Sequence, residues 1–197
     1  MRCMAAMPET GFATHPANPV ENIFRGRLPL AGASAQYYFT KESLVQRLMH
    51  QFKYKGNKDL GFQLGQIMGD QLLRSGRFAA DGLVPLPLFP AREKKRGYNQ
   101  AMILCEGMAV EMKIPVLSQL VIRPQHTETQ TRKGRIERWK NMEGKFVLKS
   151  PAAIHNKHLL LVDDVVTTGA TLESCGNELL QAENVKLSIA CLCMASR

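Results

Sequence analysis

The segment LLLVDDVVTTGAT, residues 159–171, limits the possible folds of this chain more than any other segment. Four consecutive apolar residues, Leu159 to Val162, predict a strand that is buried on both faces, as in a parallel sheet. Two adjacent aspartates follow, and then small and hydroxylated residues with one glycine. The segment therefore predicts a central strand, a turn at its carboxyl end and the start of a helix.

The rest of the chain predicts an α/β domain around this strand. Apolar segments typical of strands lie at 82–88, 117–123, 145–149, 158–164 and 186–194. Segments with helical periodicity lie at 40–56, 59–72, 100–113 and 171–183. Strands separated by helices predict a parallel sheet with right-handed crossovers. Residues 1–36 show no sustained period, and we interpret them as a loosely packed leader before a domain at 37–197.

Three polar loops are expected at the carboxyl ends of the strands, where ligands bind in parallel sheets. They span residues 87–99, 124–143 and 163–171. Between Arg92 and Lys145 there are twelve lysines and arginines against six glutamates, which is +6 of the net charge of +9. The charge indicates an anionic partner, and nucleic acid and phosphorylated metabolites both remain open.

Composition excludes several other classes of protein. With 45% hydrophobic and 22% charged residues, the chain can bury a full core. No apolar stretch approaches the roughly 18–20 residues that span a bilayer, and no secretory signal is recognisable. We therefore expect a cytoplasmic protein without a membrane span. The five cysteines include no C-x-x-C pair, which argues against a disulfide framework and a zinc site and favours buried thiols.

The two acids after the central strand, Asp163 and Asp164, suggest a specific ligand. Adjacent ionised carboxylates repel each other unless a ligand or an ion engages them. They can accept hydrogen bonds from the hydroxyls of a vicinal diol. They can also approach Mg²⁺, which takes few protein carboxylates and keeps several waters.

The stretch from Val166 to Thr171 suggests a phosphate site. Gly169 allows close backbone approach and a positive φ. Backbone N–H groups and threonine hydroxyls can surround a phosphate at the amino end of the next helix. Carboxylates that accept hydrogen bonds from a diol, followed at this spacing by groups that donate hydrogen bonds to a phosphate, together fit a ribose 5-phosphate. The alternative is purely structural: Thr168 or Thr171 caps the helix, and Asp164 begins a turn.

The motif LLLVDDVVTTGAT resembles the phosphoribosyl pyrophosphate (PRPP) binding motif of type I phosphoribosyltransferases. With VPLPLFPAREKKRGYNQA, QTRKGRIERWKNMEGKF and FKYKG, the chain is similar to the ComF family of that superfamily over about residues 38–193. The resemblance implies the type I phosphoribosyltransferase fold. That fold is α/β, a parallel sheet of about five strands flanked by helices, with a small N-terminal hood.

The resemblance also implies roles for individual residues. Asp163 and Asp164 would engage the ribose hydroxyls of PRPP, with Mg²⁺ nearby, and would act with Arg138 as catalytic residues. The 5-phosphate would be held by Val166, Thr167, Thr168, Gly169, Ala170 and Thr171. The pyrophosphate would be held by Lys95, Arg96, Gly97 and Asn99. A mobile basic loop at 124–143 would cover the site with Arg132, Lys133, Arg135 and Arg138, although each of these is alternatively a solvated surface charge.

Two functions follow as hypotheses. The first is an enzyme that transfers ribose 5-phosphate from PRPP to an unidentified nitrogenous acceptor and releases pyrophosphate. The second is a non-catalytic accessory protein of the same fold in DNA uptake, which binds nucleotide or single-stranded DNA beside competence proteins. ComF members often carry an amino-terminal zinc module with paired cysteines. Here only Cys3 precedes the domain, so no zinc is expected, and the leader is either a remnant of that module or an altered start.

Overall fold

The computed structural model describes residues 7–124 and 146–195. The helices are α1 Pro19–Phe24, α2 Leu44–Tyr54, α3 Lys58–Ser75, α4 Pro90–Arg96, α5 Gln100–Met112 and α6 Ala170–Leu179. The strands are β1 Gly32–Phe39, β2 Gly82–Pro85, β3 Val121–Ile122, β4 Val147–Leu148, β5 His158–Val166 and β6 Lys186–Ala195. Within these described ranges, no helix has the length and apolarity needed to cross a membrane.

Four of the strands form one parallel sheet in the order β1-β6-β5-β2. The predicted α/β class, with helices flanking a parallel sheet, is confirmed. The sheet has four strands rather than about five, because the expected strands at 117–123 and 145–149 pair with each other. They form a short antiparallel ladder in which Val121 lies opposite Leu148.

Strand β1 lies in a segment where no strand was predicted. It pairs with β6 from Gly32 opposite Ser188 to Phe39 opposite Ala195, and so crosses the predicted domain boundary at residue 36. Its sequence, GASAQYYF, has no apolar run and buries the polar side chains of Ser34 and Gln36. Strand β6 therefore lies inside the sheet, between β1 and β5.

The segment before β1 is part of the core. Val20 and Phe24 of α1 are almost fully buried in the same apolar cluster as Leu159 and Ile189 of the sheet. Asn18 caps α1 by accepting hydrogen bonds from the backbone of residues 20 and 21, and its amide donates to the Ala33 carbonyl at 2.8 Å. The expectation of loose packing is therefore wrong from residue 7 onward. The origin of the segment as a module remnant stays a prediction.

Helices α3 and α5 pack backbone to backbone through glycines. A Cβ atom at Gly107 would lie 2.1 Å from the Phe62 carbonyl oxygen, and one at Gly65 would lie 2.3 Å from that of Leu104. A side chain at either position would force the helices apart. This close pair contributes to the second apolar cluster of the core, which includes Leu160 of β5.

Candidate functional site

The two adjacent aspartates lie inside the end of β5. The strand continues to Val166, two residues beyond the predicted end, and Asp163 still lies opposite Cys191 of β6. On the other side β2 ends earlier, with Pro85 opposite Val162. The acids therefore stand just beyond the carboxyl end of β2, where a ligand can reach them, and both are partly buried.

The carboxyl group of Asp163 is poorly stabilised as an anion. Burial raises its pKa, and the charge of Asp164 raises it further. A hydrogen bond from the Asp164 backbone N–H to Oδ1 of Asp163, at 2.7 Å, opposes this shift, as do the charges of Lys53 and Arg96. The site is thus suited to a ligand that brings hydroxyl donors or a cation.

Asp164 pairs with Lys53, which was not among the predicted site residues. Nζ of Lys53 lies 2.8 Å from Oδ2 of Asp164, and their side chains are only 19% and 13% exposed. Lys53 stands in the last turn of α2, a helix that begins at the Ser43 cap. The neighbouring Phe52 is fully buried and anchors that turn. The only sequence signal was the place of Lys53 in the FKYKG segment.

A basic cavity of about 550 Å³ adjoins this ion pair. The described residues that line it are Lys53, Tyr54, Arg92, Lys95 and Arg96. Four of these five side chains are cationic and none is acidic, so the cavity attracts anions. Lys95 and Arg96, both predicted to bind pyrophosphate, are brought together here with Lys53 from a distant helix.

The segment that carries Lys95 and Arg96 is a helix rather than the predicted loop. Pro90 at its first position is compatible with a helix start, and Gly97, at φ +83°, ends it. The Arg96 guanidinium lies 5.5 Å from the centre of the Tyr54 ring and donates to Oε1 of Gln100 at 2.7 Å. These two contacts hold Arg96 at the wall of the cavity.

Asn99, the fourth predicted pyrophosphate residue, has a structural role. Its side chain accepts a hydrogen bond from the Ala101 backbone N–H and donates one to the Leu86 carbonyl, both at 3.0 Å. These bonds cap α5 and attach it to the end of β2. The roles of Gly97 and Asn99 at a pyrophosphate stay predictions.

The predicted phosphate loop joins β5 directly to α6. Val166 ends the strand, Thr167 and Thr168 are exposed, and Gly169, at φ +75°, stands at the N-cap of α6. No side chain forms a cap at this helix, and Oγ1 of Thr168 reaches the Ala170 N–H only at 3.5 Å. The alternative in which a threonine side chain caps the helix is therefore not seen in the structure. Helix N–H groups remain available for an anion.

The amino-terminal segment supports this loop. A Cβ atom at Gly169 would lie 2.7 Å from the Phe24 ring of α1, so the glycine packs directly against that helix. Arg27 donates to the Thr168 carbonyl at 2.9 Å and forms an ion pair with Glu173 of α6. These contacts were not predicted, because residues 1–36 were interpreted as a loosely packed leader.

Arg123, at the end of the β3 segment, is a further cation near the site. Its guanidinium lies 5.4 Å from the centre of the Phe89 ring and 5.2 Å from that of Phe146. Its buried Nε has no hydrogen-bond partner among the described residues. Burial lowers its pKa, and the charge of Arg92 lowers it further.

The loop residues Arg132, Lys133, Arg135 and Arg138 lie outside the described residues, and their roles stay predictions.

The donor set at the aspartate pair suits magnesium only together with a ligand. In the part of the chain that the structure describes, no group of three or more His, Cys, Asp or Glu side chains could hold a metal ion. Mg²⁺ in nucleotide and phosphate sites commonly uses one or two carboxylates plus ligand phosphates. Asp163 and Asp164 fit that pattern. The expectation of no zinc stays a prediction.

Sequence comparison relates the chain to named proteins. Residues 97–197 match the profile of the phosphoribosyl transferase domain. The DNA utilization protein YhgH of Salmonella typhimurium is 29% identical over 191 residues, which cover 94% of this chain and 82% of that protein. Competence protein F of Haemophilus influenzae is 32% identical over 130 residues, covering 66% and 57%. Competence protein ComFC of Bacillus subtilis is 28% identical over 146 residues, covering 73% and 56%.

Solved structures that match this chain do so at low identity. A glutamine PRPP amidotransferase from B. subtilis, complexed with ADP and GMP, has a TM-score of 0.46 and 17% identity, covering 71% of this chain and 30% of that one. The chain thus spans less than a third of that enzyme and less than two thirds of competence protein F.

Proposed function

The chain belongs to the phosphoribosyl transferase domain family, and on that premise we propose that it binds PRPP and transfers ribose 5-phosphate to a nitrogenous acceptor. One observation carries the proposal. An acid pair, the glycine-containing loop that follows it and a basic cavity lie at the carboxyl edge of one parallel sheet. The edge therefore offers complementary groups for each part of PRPP: the diol, the 5-phosphate and the pyrophosphate.

Binding would divide among three sets of groups. Asp163 and Asp164 would accept hydrogen bonds from the ribose hydroxyls. The loop from Val166 to Thr171 would hold the 5-phosphate through backbone N–H groups and threonine hydroxyls at the start of α6. The pyrophosphate would enter the cavity lined by Arg92, Lys95 and Arg96.

The proposed reaction depends on stabilising the leaving group. When the bond from C1 of the ribose to pyrophosphate breaks, positive charge develops on the sugar and negative charge on the departing oxygens. Cations already in place around those oxygens stabilise the transition state more than the ground state. Asp163 and Asp164 would hold Mg²⁺ together with ligand phosphates, and the ion would supply further positive charge at the leaving group. Arg138 and its basic neighbours would exclude water from the sugar.

Calorimetric titration with Mg-PRPP tests the proposal. We expect binding to the parent chain and its loss in the Asp163→Asn, Asp164→Asn double variant. The charge-matched control is Asp59→Asn, Asp70→Asn. Asp59 is exposed, and Asp70 makes an exposed pair with Arg74 on α3. Absence of PRPP binding, or binding unchanged in the site variant, would contradict the proposal. Screening nucleobases and amines for PRPP-dependent pyrophosphate release would identify the acceptor.

A second candidate is an accessory role in DNA handling without turnover. It is supported by the names of the relatives, a DNA utilization protein and competence proteins. The basic cavity and the Tyr54 ring, which is 63% exposed, offer phosphate contacts and a stacking surface for a single strand. Affinity for single-stranded DNA that falls steeply with salt, without pyrophosphate release, would favour this role. Pyrophosphate release without salt-sensitive DNA binding would favour the enzyme.

A further inference from the structure

Lys53 belongs to two parts of the site at once. Its ammonium group lies 2.8 Å from Oδ2 of Asp164, and its side chain also lines the basic cavity. We propose that Lys53 is a shared cation, which neutralises Asp164 when the cavity is empty and turns to the phosphate oxygens when a pyrophosphate group enters. The inference rests on the proposed function, because it assigns a ligand-dependent position to one residue of that site.

Arg96, which also lines the cavity, does not offer the same exchange. Arg96 stacks on Tyr54 and donates to Gln100, so its guanidinium is held at the cavity wall. In the described part of the chain, the contact with Lys53 is the one ion pair that either aspartate makes. Lys53 is thus the side chain that directly connects the ribose end of the site to the pyrophosphate end.

The backbone at Lys53 is fixed, so the exchange would take place in the side chain alone. The adjacent Phe52 is fully buried, and its carbonyl accepts a hydrogen bond from the Tyr98 hydroxyl. Tyr98 lies between α4 and α5, close in sequence to Arg96, so the end of α2 is attached to the segment that supplies the other cations. A lysine carries its charge on a flexible four-carbon chain, which allows the ammonium to change partners.

The exchange has a consequence at each end of the site. When Lys53 turns to pyrophosphate oxygens, it releases the Asp164 carboxylate to accept hydrogen bonds from ribose hydroxyls. It also adds a cation where negative charge develops on the leaving group. Conversely, when the cavity is empty, Lys53 offsets the repulsion between two adjacent, partly buried acids. Ligand binding at the pyrophosphate end thus makes the Asp164 carboxylate available at the ribose end.

The test is a double-mutant cycle read by calorimetric binding of inorganic pyrophosphate at low salt without Mg²⁺. We expect Lys53→Met to weaken binding by about tenfold, or about 1.4 kcal/mol. Asp164→Asn should strengthen binding severalfold, because it frees Lys53, and this gain should largely disappear in the Lys53→Met background. Lys55→Met is the charge-matched control, since Lys55 is exposed two residues away and lies outside the cavity lining.

Several outcomes would overturn the inference. These are no pyrophosphate binding by the parent chain, unchanged binding in Lys53→Met, or a gain from Asp164→Asn that persists in full without Lys53. The last result would mean that Asp164 acts only through its long-range charge. Lys53→Arg, which keeps the charge, should retain most of the binding, and Lys53→Gln replaces the methionine variant if that variant does not fold.

The cycle separates this inference from the proposed function. If pyrophosphate binding shows the expected coupling but Mg-PRPP does not bind, the proposed function fails and the shared cation stands. If Mg-PRPP binds but the effects of Lys53→Met and Asp164→Asn on pyrophosphate binding are additive, only the inference of a shared cation fails.

Discussion

Arg27 donates a hydrogen bond to the carbonyl oxygen of Thr168 over 2.9 Å, and so joins the amino-terminal segment to the loop expected to hold phosphate. The same guanidinium pairs with Glu173 in the first turns of α6. The loop is therefore held from outside the strand and helix that form it. Its shape depends on a part of the chain that lies far away in sequence.

Replacement of Arg27 should affect ligand binding more than stability. We expect Arg27→Met to weaken Mg-PRPP binding about threefold to tenfold, because the loop loses an external support. The effect on the melting temperature should be small, since a partly exposed ion pair contributes about 0–1 kcal/mol. Arg25→Met, at an exposed position on the same segment, is the control. Equal binding by the two variants would contradict a supporting role for Arg27.

Gly169→Ala should destabilise the protein more than Gly26→Ala does. Both glycines have nearly the same positive φ, +75° and +74°, which costs an alanine about 1–2 kcal/mol. Only at Gly169 does the new Cβ meet a neighbour, the Phe24 ring at 2.7 Å, whereas nothing lies within 4 Å at Gly26. We expect an additional 1–3 kcal/mol or so from overpacking at Gly169, measured by urea unfolding. Equal losses of unfolding free energy in the two variants would show that α1 moves aside without an energetic penalty.

Asp163→Asn should stabilise the ligand-free protein at neutral pH. Burial and Asp164 raise the pKa of Asp163 above its ordinary value of 3.8, so the unfolded chain loses this proton at a lower pH than the folded one. The protonated group makes its full contribution to the free energy of unfolding below the pKa that Asp163 has in the unfolded chain. This contribution falls as pH rises toward the pKa that Asp163 has in the folded chain. Asparagine carries no such charge and still accepts from the Asp164 N–H.

Melting temperatures of the parent and Asp163→Asn between pH 4 and 9 test this prediction. The advantage of the variant should be absent at the acid end, grow as pH rises and then level off. Asp70→Asn, at an exposed ion pair, should show no comparable growth. An advantage for Asp163→Asn that is constant with pH would point to packing rather than charge.

Gly107→Ala should be strongly destabilising although alanine is the better helix former. The propensity gain is about 1 kcal/mol, but the Cβ would lie 2.1 Å from the backbone oxygen of Phe62 in α3. Backbone cannot move aside as a flexible side chain can, so we expect a net loss of about 2 kcal/mol or more. Val110→Ala on the same helix, at a side chain 56% exposed, should change stability by no more than about 0.5 kcal/mol. Urea unfolding of both variants measures the difference.

Much of the site's location could be predicted from the sequence. The apolar run Leu159–Val162 indicated a strand buried on both faces, and all four residues are fully buried. Because ligands bind at the carboxyl edge of parallel strands, Asp163, Asp164, Lys95 and Arg96 were expected at one edge. The charges of Lys53 and Arg96 do act on the Asp163 carboxyl in the folded chain.

Strand β1 shows where sequence patterns were insufficient. GASAQYYF contains neither an apolar run nor a clear alternation, yet its first six residues are buried. Its pairing with β6 over residues 32–39 determines its conformation. Strand propensity reports how well a side chain fits its surroundings, and those surroundings come from distant parts of the chain.

The α/β class, the central strand, and the acid pair with the glycine-containing loop after it follow from short stretches of the sequence, because all of these depend on neighbouring residues and on local burial. Which cations meet them depends on how distant helices pack. Lys53 and Arg27 resemble any other basic residues in the sequence, and their contacts with Asp164 and Thr168 exist because α2 and α1 pack where they do. A charge acts over a few ångströms, so its role depends on the path of the chain rather than on its neighbours in sequence.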